Sequence, residues 1–183
     1  MLKFSRKVAK CWLTHEECRQ LSIEELCSIF DLTRQAVKDD AHVIWLDYDE
    51  AKCLIRAGRL DKARDCALNV LKKKQNESWA WGALAATYRK KSPETSIVLF
   101  SKALMCAHDD VFALPTLKGF APLLADNGFS DEASMCLKRA VNCYTENGWN
   151  IKADLEKQIN QDWYNPEVEL DALQAFLKDK SST

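Results

Sequence analysis

The fold of this chain is decided by residues 81–88, WGALAATY, and by residues 96–104, SIVLFSKAL. In both segments apolar residues recur every three or four positions, which is the spacing of one face of an α-helix. The residues Ser92, Pro93 and Glu94 lie between the two segments and have the composition of a short turn. The stretch therefore predicts a pair of helices joined by a tight connection.

The same pattern occurs three times along the chain. The first and second copies match at residue numbers that differ by 33, and the third copy follows at offsets of 36 and 37. The extra residue falls in the turn at 127–129, where an insertion costs little. The matched positions are Tyr48, Trp81 and Leu117; Ala51, Leu84 and Phe120; Ile55, Tyr88 and Leu124; Ala63, Ser96 and Ala133; Ala67, Phe100 and Leu137; and Leu71, Leu104 and Val141.

The positions of small and large residues predict how the two helices of each pair pack against each other. Ala63, Ser96 and Ala133 hold equivalent positions on the second helices, where we expect the paired helices to approach closely. Trp81 and its counterparts on the first helices are predicted to fill the core. Because one pair cannot bury its own apolar face, successive pairs must stack.

At these residues the chain resembles the tetratricopeptide repeat (TPR) family. Residues 81–88 are similar to the family's first-helix signature, and residues 96–104 and 133–141 are similar to its second-helix signature. The resemblance covers residues 43–145 and implies an all-α fold, a right-handed α-solenoid of antiparallel helix pairs. Three features depart from the family pattern: Lys52 replaces a small residue, Pro115 and Pro122 lie inside a predicted helix, and no proline follows the second helices.

The flanking regions predict helices that cap the stack. We expect an N-terminal helical cap at 1–41, the repeats at 42–146 and C-terminal capping helices at 147–183. At the start, Phe4, Val8, Cys11 and Trp12 share one helical face, and two Ser/Thr-x-x-Glu patterns, Thr14 to Glu17 and Ser22 to Glu25, predict capping boxes. At the end, helices are predicted over 149–163 and 166–178.

The composition excludes several classes of protein. Only 5 glycines and 4 prolines argue against turn-rich β folds and glycine-rich phosphate loops. The 26 basic and 27 acidic residues give a net charge of -1, so the chain has no overall basic character for nucleic acid or anionic lipid. No apolar run approaches a membrane span, and lysines interrupt the N-terminal segment, so a secretory signal is not predicted. We expect a cytoplasmic protein that does not associate with a membrane.

The eight cysteines are predicted to be reduced thiols that act as small apolar residues. Two pairs, Cys11 with Cys18 and Cys136 with Cys143, are seven residues apart, which is about 10 Å along a helix. Because a disulfide requires Cα atoms within about 7 Å, neither pair can be bridged within one helix. Zinc on Cys11, His15, Cys18 and Cys27 is the alternative, but no C-x-x-C pair supports it.

Catalytic patterns are missing from the sequence. Its three histidines form no H-E-x-x-H motif, and no G-x-S-x-G or phosphate-binding loop occurs. The adjacent carboxylates Asp39-Asp40 and Asp109-Asp110 lie next to predicted helix ends, where acids favour the helix dipole. We therefore predict a protein without enzymatic activity, cofactor or metal.

The resemblance implies a function in binding. In the TPR family the first helix of each repeat lines a concave groove that holds a partner segment. The equivalent positions here include Leu46 and Asp49, and the predicted partner-binding residues are Arg56, Trp79, Arg89, Lys90 and Lys118. These residues suit an acidic or aromatic segment of a protein or peptide. The asparagines and lysines of the family's carboxylate clamp are absent, so chaperone tails are not predicted as partners.

Three other interpretations stay open at this point. The charges on the first helices could simply be solvated. RNA or single-stranded DNA could bind Lys72-Lys73-Lys74, Arg89-Lys90-Lys91 and the Trp79/Trp81 pair, because these combine charge with stacking surfaces. The chain could also be the repeat region of a larger bacterial protein, which residues 79–81 and 159–164 faintly resemble.

Overall fold

The structure is a computed structural model that describes residues 1–37 and 41–182, and all regular secondary structure in those residues is helical. It comprises α1 (Leu2–Thr14), a 3-10 helix (Glu17–Gln20), α2 (Ile23–Ala36), α3 (Ile44–Arg56), α4 (Leu60–Lys73), α5 (Ser78–Tyr88), α6 (Pro93–Met105), α7 (Asp110–Asp126), α8 (Ser130–Glu146), α9 (Ala153–Ile159) and α10 (Asp171–Ser181). The all-α prediction is confirmed.

The helices divide between two compact units, Met1–Gln75 and Asn76–Thr183. In the first unit α1 and α2 pack against α3, and α3 packs against α4. In the second unit α5 pairs with α6 and α7 with α8, while α7 also contacts both α5 and α6. This packing of neighbouring helices is that of a helical repeat. The three divisions predicted at 1–41, 42–146 and 147–183 stay a prediction.

Two of the turns between paired helices have the same local geometry. Gly58 and Gly128 follow α3 and α7 with φ of 74° and 84°, a region that L side chains rarely adopt. The next amide in each turn, that of Arg59 or Phe129, donates to a carbonyl five residues earlier, at 2.9 Å and 3.0 Å respectively. A glycine after the helix end thus reverses the chain into the second helix of the pair.

The three small residues at the predicted points of close approach are all buried, and a direct contact between paired helices is seen at Ser96. Ala63, Ser96 and Ala133 are completely buried. The Ser96 hydroxyl donates to the carbonyl oxygen of Ala85 at 2.8 Å, so the side chain of α6 touches the backbone of α5 directly. A larger side chain at this position would separate the two helices.

The core of the second unit is built around α7. Leu117, Phe120 and Leu124 are buried on this helix, and the Phe120 ring stacks on Phe100 of α6 with centroids 5.3 Å apart. The helix runs unbroken through Pro115 and Pro122. The aromatic stack therefore joins the second helix of one pair to the first helix of the next.

Trp81, which was predicted to fill the core, and Phe4 of α1 are not buried. Trp81 is only half-buried, and the Lys102 ammonium lies 5.0 Å from its ring centroid. Phe4 is 66% exposed, because α1 turns Ser5, Ala9 and Trp12 inward instead. The Ser5 and Thr33 hydroxyls lie 2.5 Å apart, so a small polar pair takes the contact between α1 and α2.

The capping and C-terminal predictions are correct only in part. Ser22 and Glu25 form the predicted capping box, but the Thr14 hydroxyl donates to the Lys10 carbonyl at the end of α1 and caps no helix. The helices predicted at 149–163 and 166–178 are shorter, Ala153–Ile159 and Asp171–Ser181, and Pro166 lies in the turns between them. The helical conformation is disfavoured for a residue that precedes proline, and Asn165, directly before Pro166, is not helical.

One cysteine prediction is wrong. Cys11 and Cys18 form a disulfide with Cα atoms 5.9 Å apart. The predicted separation assumed a continuous helix, whereas α1 ends at Thr14 and His15 is extended, with φ -120° and ψ 130°, so the chain turns back. Cys136 and Cys143, which share the unbroken α8, stay free.

None of the described helices is suited to span a lipid bilayer. Across residues 1–37 and 41–182, each helix is too short or too polar to cross a membrane.

Replacing Phe120 by alanine is expected to destabilise the second unit by about 3–5 kcal/mol, because it removes a fully buried ring and leaves a cavity. Phe112 is the matched control, since it lies on the same helix and is 66% exposed. Urea unfolding followed by circular dichroism measures both. Equal stability of Phe120→Ala and Phe112→Ala would contradict the placement of α7 at the centre of this core.

Candidate partner-binding surface

The first helices of two successive pairs, α5 and α7, lie side by side. A Cβ atom added to Gly82 would lie 3.1 Å from the Thr116 hydroxyl oxygen, and the Ser78 and Thr116 hydroxyls are 3.4 Å apart. Small residues on α5 thus allow α7 to approach closely. The predicted groove requires first helices that lie next to each other, and α5 and α7 meet this requirement.

Three of the predicted partner-binding residues belong to α5 or follow it. Trp79 is half-buried in the first turn, where its indole nitrogen donates to the Glu77 carboxylate at 3.1 Å. Arg89 is the half-buried C-cap, and Lys90 is exposed immediately after it. Ten residues of helix separate Trp79 from Arg89, a distance of about 15 Å along the axis. We call Trp79, Arg89 and Lys90 the α5 surface.

Lys118 does not present a free ammonium to this surface. Its Nζ bonds the Asp154 carboxylate of α9 at 2.8 Å, and only 16% of the side chain is exposed. Although partial burial opposes the charge of Asp154, the hydrogen bond from Lys118 and its positive charge lower the pKa of that carboxyl. The chain itself therefore supplies the acidic group at Lys118.

The predicted residues of the first repeat are divided between surface and core. Arg56, the last residue of α3, is exposed and lies in the first unit. Leu46 and Asp49 were assigned to the groove, but they are 0% and 6% exposed. Asp49 bonds Arg6 at 2.8 Å and Lys52 at 3.1 Å, so its carboxylate serves the packing of α1 on α3.

A buried ionic network in the first unit was missed by the sequence analysis. Arg34 of α2 bonds Asp47 at 2.8 Å and also bonds Glu50, which is 7% exposed. Although burial opposes its charge, hydrogen bonds and the negative charge of Glu50 raise the pKa of Arg34. The sequence does contain a sign of this network, because three acids, Asp47, Asp49 and Glu50, lie in a helix that must bury one side. Their partners could not be found from spacing.

The geometry gives less support to nucleic-acid stacking. The Trp81 ring is already covered by the Lys102 ammonium, and Lys72 and Lys73 lie in the last turn of α4, where cations favour the helix dipole. Of the carboxylate pairs, Asp109 caps α7 through the Phe112 amide and Asp110 bonds Arg139. Asp39 and Asp40 lie outside the described residues.

The free thiols occupy sites that suppress their ionisation. Burial raises the pKa of Cys27 to about 11 and the pKa values of Cys53, Cys66 and Cys136 to about 12. Glu50 adds to the effect at Cys27 and Cys66 by its negative charge and a hydrogen bond. Within the ranges 1–37 and 41–182, no three His, Cys, Asp or Glu side chains converge as metal ligands, and the disulfide uses two of the zinc candidates.

Maleimide labelling is expected to count six thiols in unfolded, unreduced protein and eight after reduction, because only Cys11 and Cys18 are bonded. Native protein should label slowly at Cys53, Cys66 and Cys136, and faster as the pH rises toward their pKa values near 12, since the thiolate reacts. Mass spectrometry of the labelled chains measures both. Eight labels without reduction would contradict the disulfide.

Comparison with known proteins identifies a family but no described relative. No curated protein and no solved structure matches the chain. The sequence pattern of one family, described as a domain of unknown function (DUF7017), matches residues 44–183. The match begins at the first residue of α3, leaves α1 and α2 outside, and spans well over half of the sequence. The chain therefore belongs to the DUF7017 family.

Proposed function

We propose that the chain is a TPR-like scaffold, a right-handed α-solenoid that binds a segment of a partner protein and does not catalyse a reaction. The order of helix contacts supports this, because α7 packs against both helices of the preceding pair. The same order is what stacked helix pairs of the TPR type require. Handedness and partner are parts of the proposal.

The observation that carries the proposal is the direct contact between α5 and α7 at Gly82 and Thr116. Two first helices that touch present one continuous surface instead of two separate ones. Trp79 lies in the first turn of α5, and Arg89 and Lys90 lie at its C-terminal end. A half-buried indole can bury apolar area while the cations bind carboxylates.

The proposed partner is an acidic segment with an aromatic or aliphatic side chain. Lys118 provides the chemical precedent, since a carboxylate from α9 already bonds to this α7 lysine at 2.8 Å. An acidic segment bound along α5 would place its carboxylates near Arg89 and Lys90. Since Arg56 lies in the other compact unit, the proposed site is limited to the α5 surface.

The proposed location is the cytoplasm, and it stays a prediction. The Cys11–Cys18 disulfide argues against it, because reducing compartments disfavour such bonds. A role as the repeat region of a larger bacterial protein is compatible with the same binding function.

Reversing two charges tests the α5 surface. In the variant Arg89→Glu/Lys90→Glu, partner recovery from lysate should fall, and binding of the purified partner should weaken by more than the 0–1 kcal/mol or so of an exposed ion pair. Pull-down with quantitative mass spectrometry identifies the partner, and calorimetry measures the affinity. Circular dichroism should be unchanged, since both positions lie at or beyond the end of α5.

Lys72→Glu/Lys73→Glu is the matched control. It reverses two cations at the C-terminal end of another helix, α4, and both are exposed. The control should bind like the wild type. Equal recovery by the Arg89/Lys90 variant and the wild type would contradict the proposed surface, and recovery that nuclease treatment abolishes would favour the nucleic-acid alternative.

A further inference from the structure

The outward face of α1 is basic and carries an exposed aromatic ring. Lys3, Lys7 and Lys10 recur at i, i+4 and i+7, so they share one face, and all three are exposed. Phe4 lies at the edge of this face and is 66% exposed. None of the three lysines forms an ion pair with any residue that the structure describes. We call these four residues the α1 face.

The α1 face is not needed for the packing of its own unit. The opposite side of the helix, with Ser5, Ala9 and Trp12, is already buried there. Arg6 is committed to Asp49, and the chain has no acidic residue before Glu16 that could neutralise the lysines locally. Burial of an exposed phenylalanine side chain against apolar groups is favourable. A partner that offers an apolar pocket with an acidic rim would satisfy both features.

The second unit contains a pocket that combines apolar and acidic lining residues, between α8, α10 and the start of α7. Its volume is about 300 Å³. Leu170 and Leu173, the latter only 3% exposed, provide its apolar lining, and the other lining residues are polar or charged: Asp110, Arg139, Asn142, Glu146 and Gln174. Gln174 also lines it and lies 3.3 Å from the sulfur of Met105, which is itself 41% exposed. Met105 thus adds exposed apolar area next to the pocket.

Three acids lie in the lining of the pocket or next to a lining residue in the sequence, and we call them its rim. Glu146 lines the pocket, and Glu169 and Asp171 flank Leu170 in the sequence; all three are exposed. In the described part of the chain these three carboxylates form no ion pair. The nearby cations are already engaged, since Arg139 bonds Asp110 and the Lys138 ammonium donates to the Val168 carbonyl at 2.7 Å. The rim thus keeps negative charge available.

We propose that the α1 face of one copy docks into this pocket of a second copy of the chain. Phe4 would insert beside Leu170 and Leu173, and the lysines around it would pair with Glu146, Glu169 and Asp171. The charge complementarity between the two surfaces selects a second copy as the occupant. The inference is independent of the partner proposed above, because it uses neither Trp79 nor Arg89 nor Lys90.

Such a contact joins two different surfaces of the chain. A pair of copies joined in this way therefore keeps one unused α1 face and one unused pocket in total, and association continues into rings or open chains. Because lysine–carboxylate pairs at an exposed rim are screened by salt, the association should weaken as ionic strength rises. Sedimentation velocity over a wide concentration range, at low and high salt, measures both properties.

Two variants separate the halves of the interface. Lys3→Glu/Lys7→Glu alters only the α1 face and should be monomeric, while Glu169→Gln/Asp171→Asn alters only the pocket rim and should associate at least about tenfold more weakly than wild type. Mixed together, they should form a dimer of one copy of each and no larger species, because one supplies an intact pocket and the other an intact α1 face. Phe4→Ala should also weaken association by about tenfold or more.

The same sedimentation assay tests a control variant and can contradict the proposal. Lys72→Glu/Lys73→Glu removes as much positive charge from exposed positions of another helix and should associate like the wild type. A wild-type chain that is monomeric at every concentration would overturn the proposal. So would a mixture of the two variants that forms no heterodimer, or association that Lys3→Glu/Lys7→Glu leaves intact while circular dichroism confirms folding.

Discussion

The close approach of paired helices at small residues is the constraint on which the second unit depends. Ser96 bonds the backbone carbonyl of Ala85 at 2.8 Å, which fixes the spacing between α5 and α6. Phe100 on α6 then stacks on Phe120, and Gly82 on α5 leaves room for Thr116, so α7 contacts both helices of the preceding pair. The small residues that recur in the sequence thus mark the predicted positions of closest approach between paired helices.

This spacing also bears on the proposed binding surface. Because α5 and α7 touch, we propose that their side chains form one binding surface, with Trp79 at one end of α5 and two cations at the other. Part of that surface is already used within the chain, because α9 supplies Asp154 to Lys118. In the first unit, the buried carboxylates of α3 bind Arg6 and Arg34. The lysines of α1 therefore carry the exposed positive charge of that helix.

Local pattern was sufficient to predict the helix pairs, the small-residue positions and the Ser22 capping box. It failed where a residue's partner lies far away in the sequence. Lys118 and Asp154 are 36 residues apart, and Arg6 and Asp49 are 43 apart. Periodicity also leaves open which side of α1 is buried, because tertiary packing selects Ser5 and Ala9 and leaves Phe4 exposed. The Cys11–Cys18 bond depends on where α1 ends, which helical spacing alone does not reveal.

The most direct test of the repeat packing is the free energy of unfolding of Ser96→Leu. Its side chain would be forced between α5 and α6, so urea unfolding should show a loss of about 1–3 kcal/mol from overpacking, in addition to the lost hydrogen bond. Thr95→Leu is the matched control, because Thr95 is exposed on the same turn, and its stability should stay within about 0.5 kcal/mol of the wild type. Equal stability of the two variants would contradict the claim that a close contact at Ser96 holds the helix pair together.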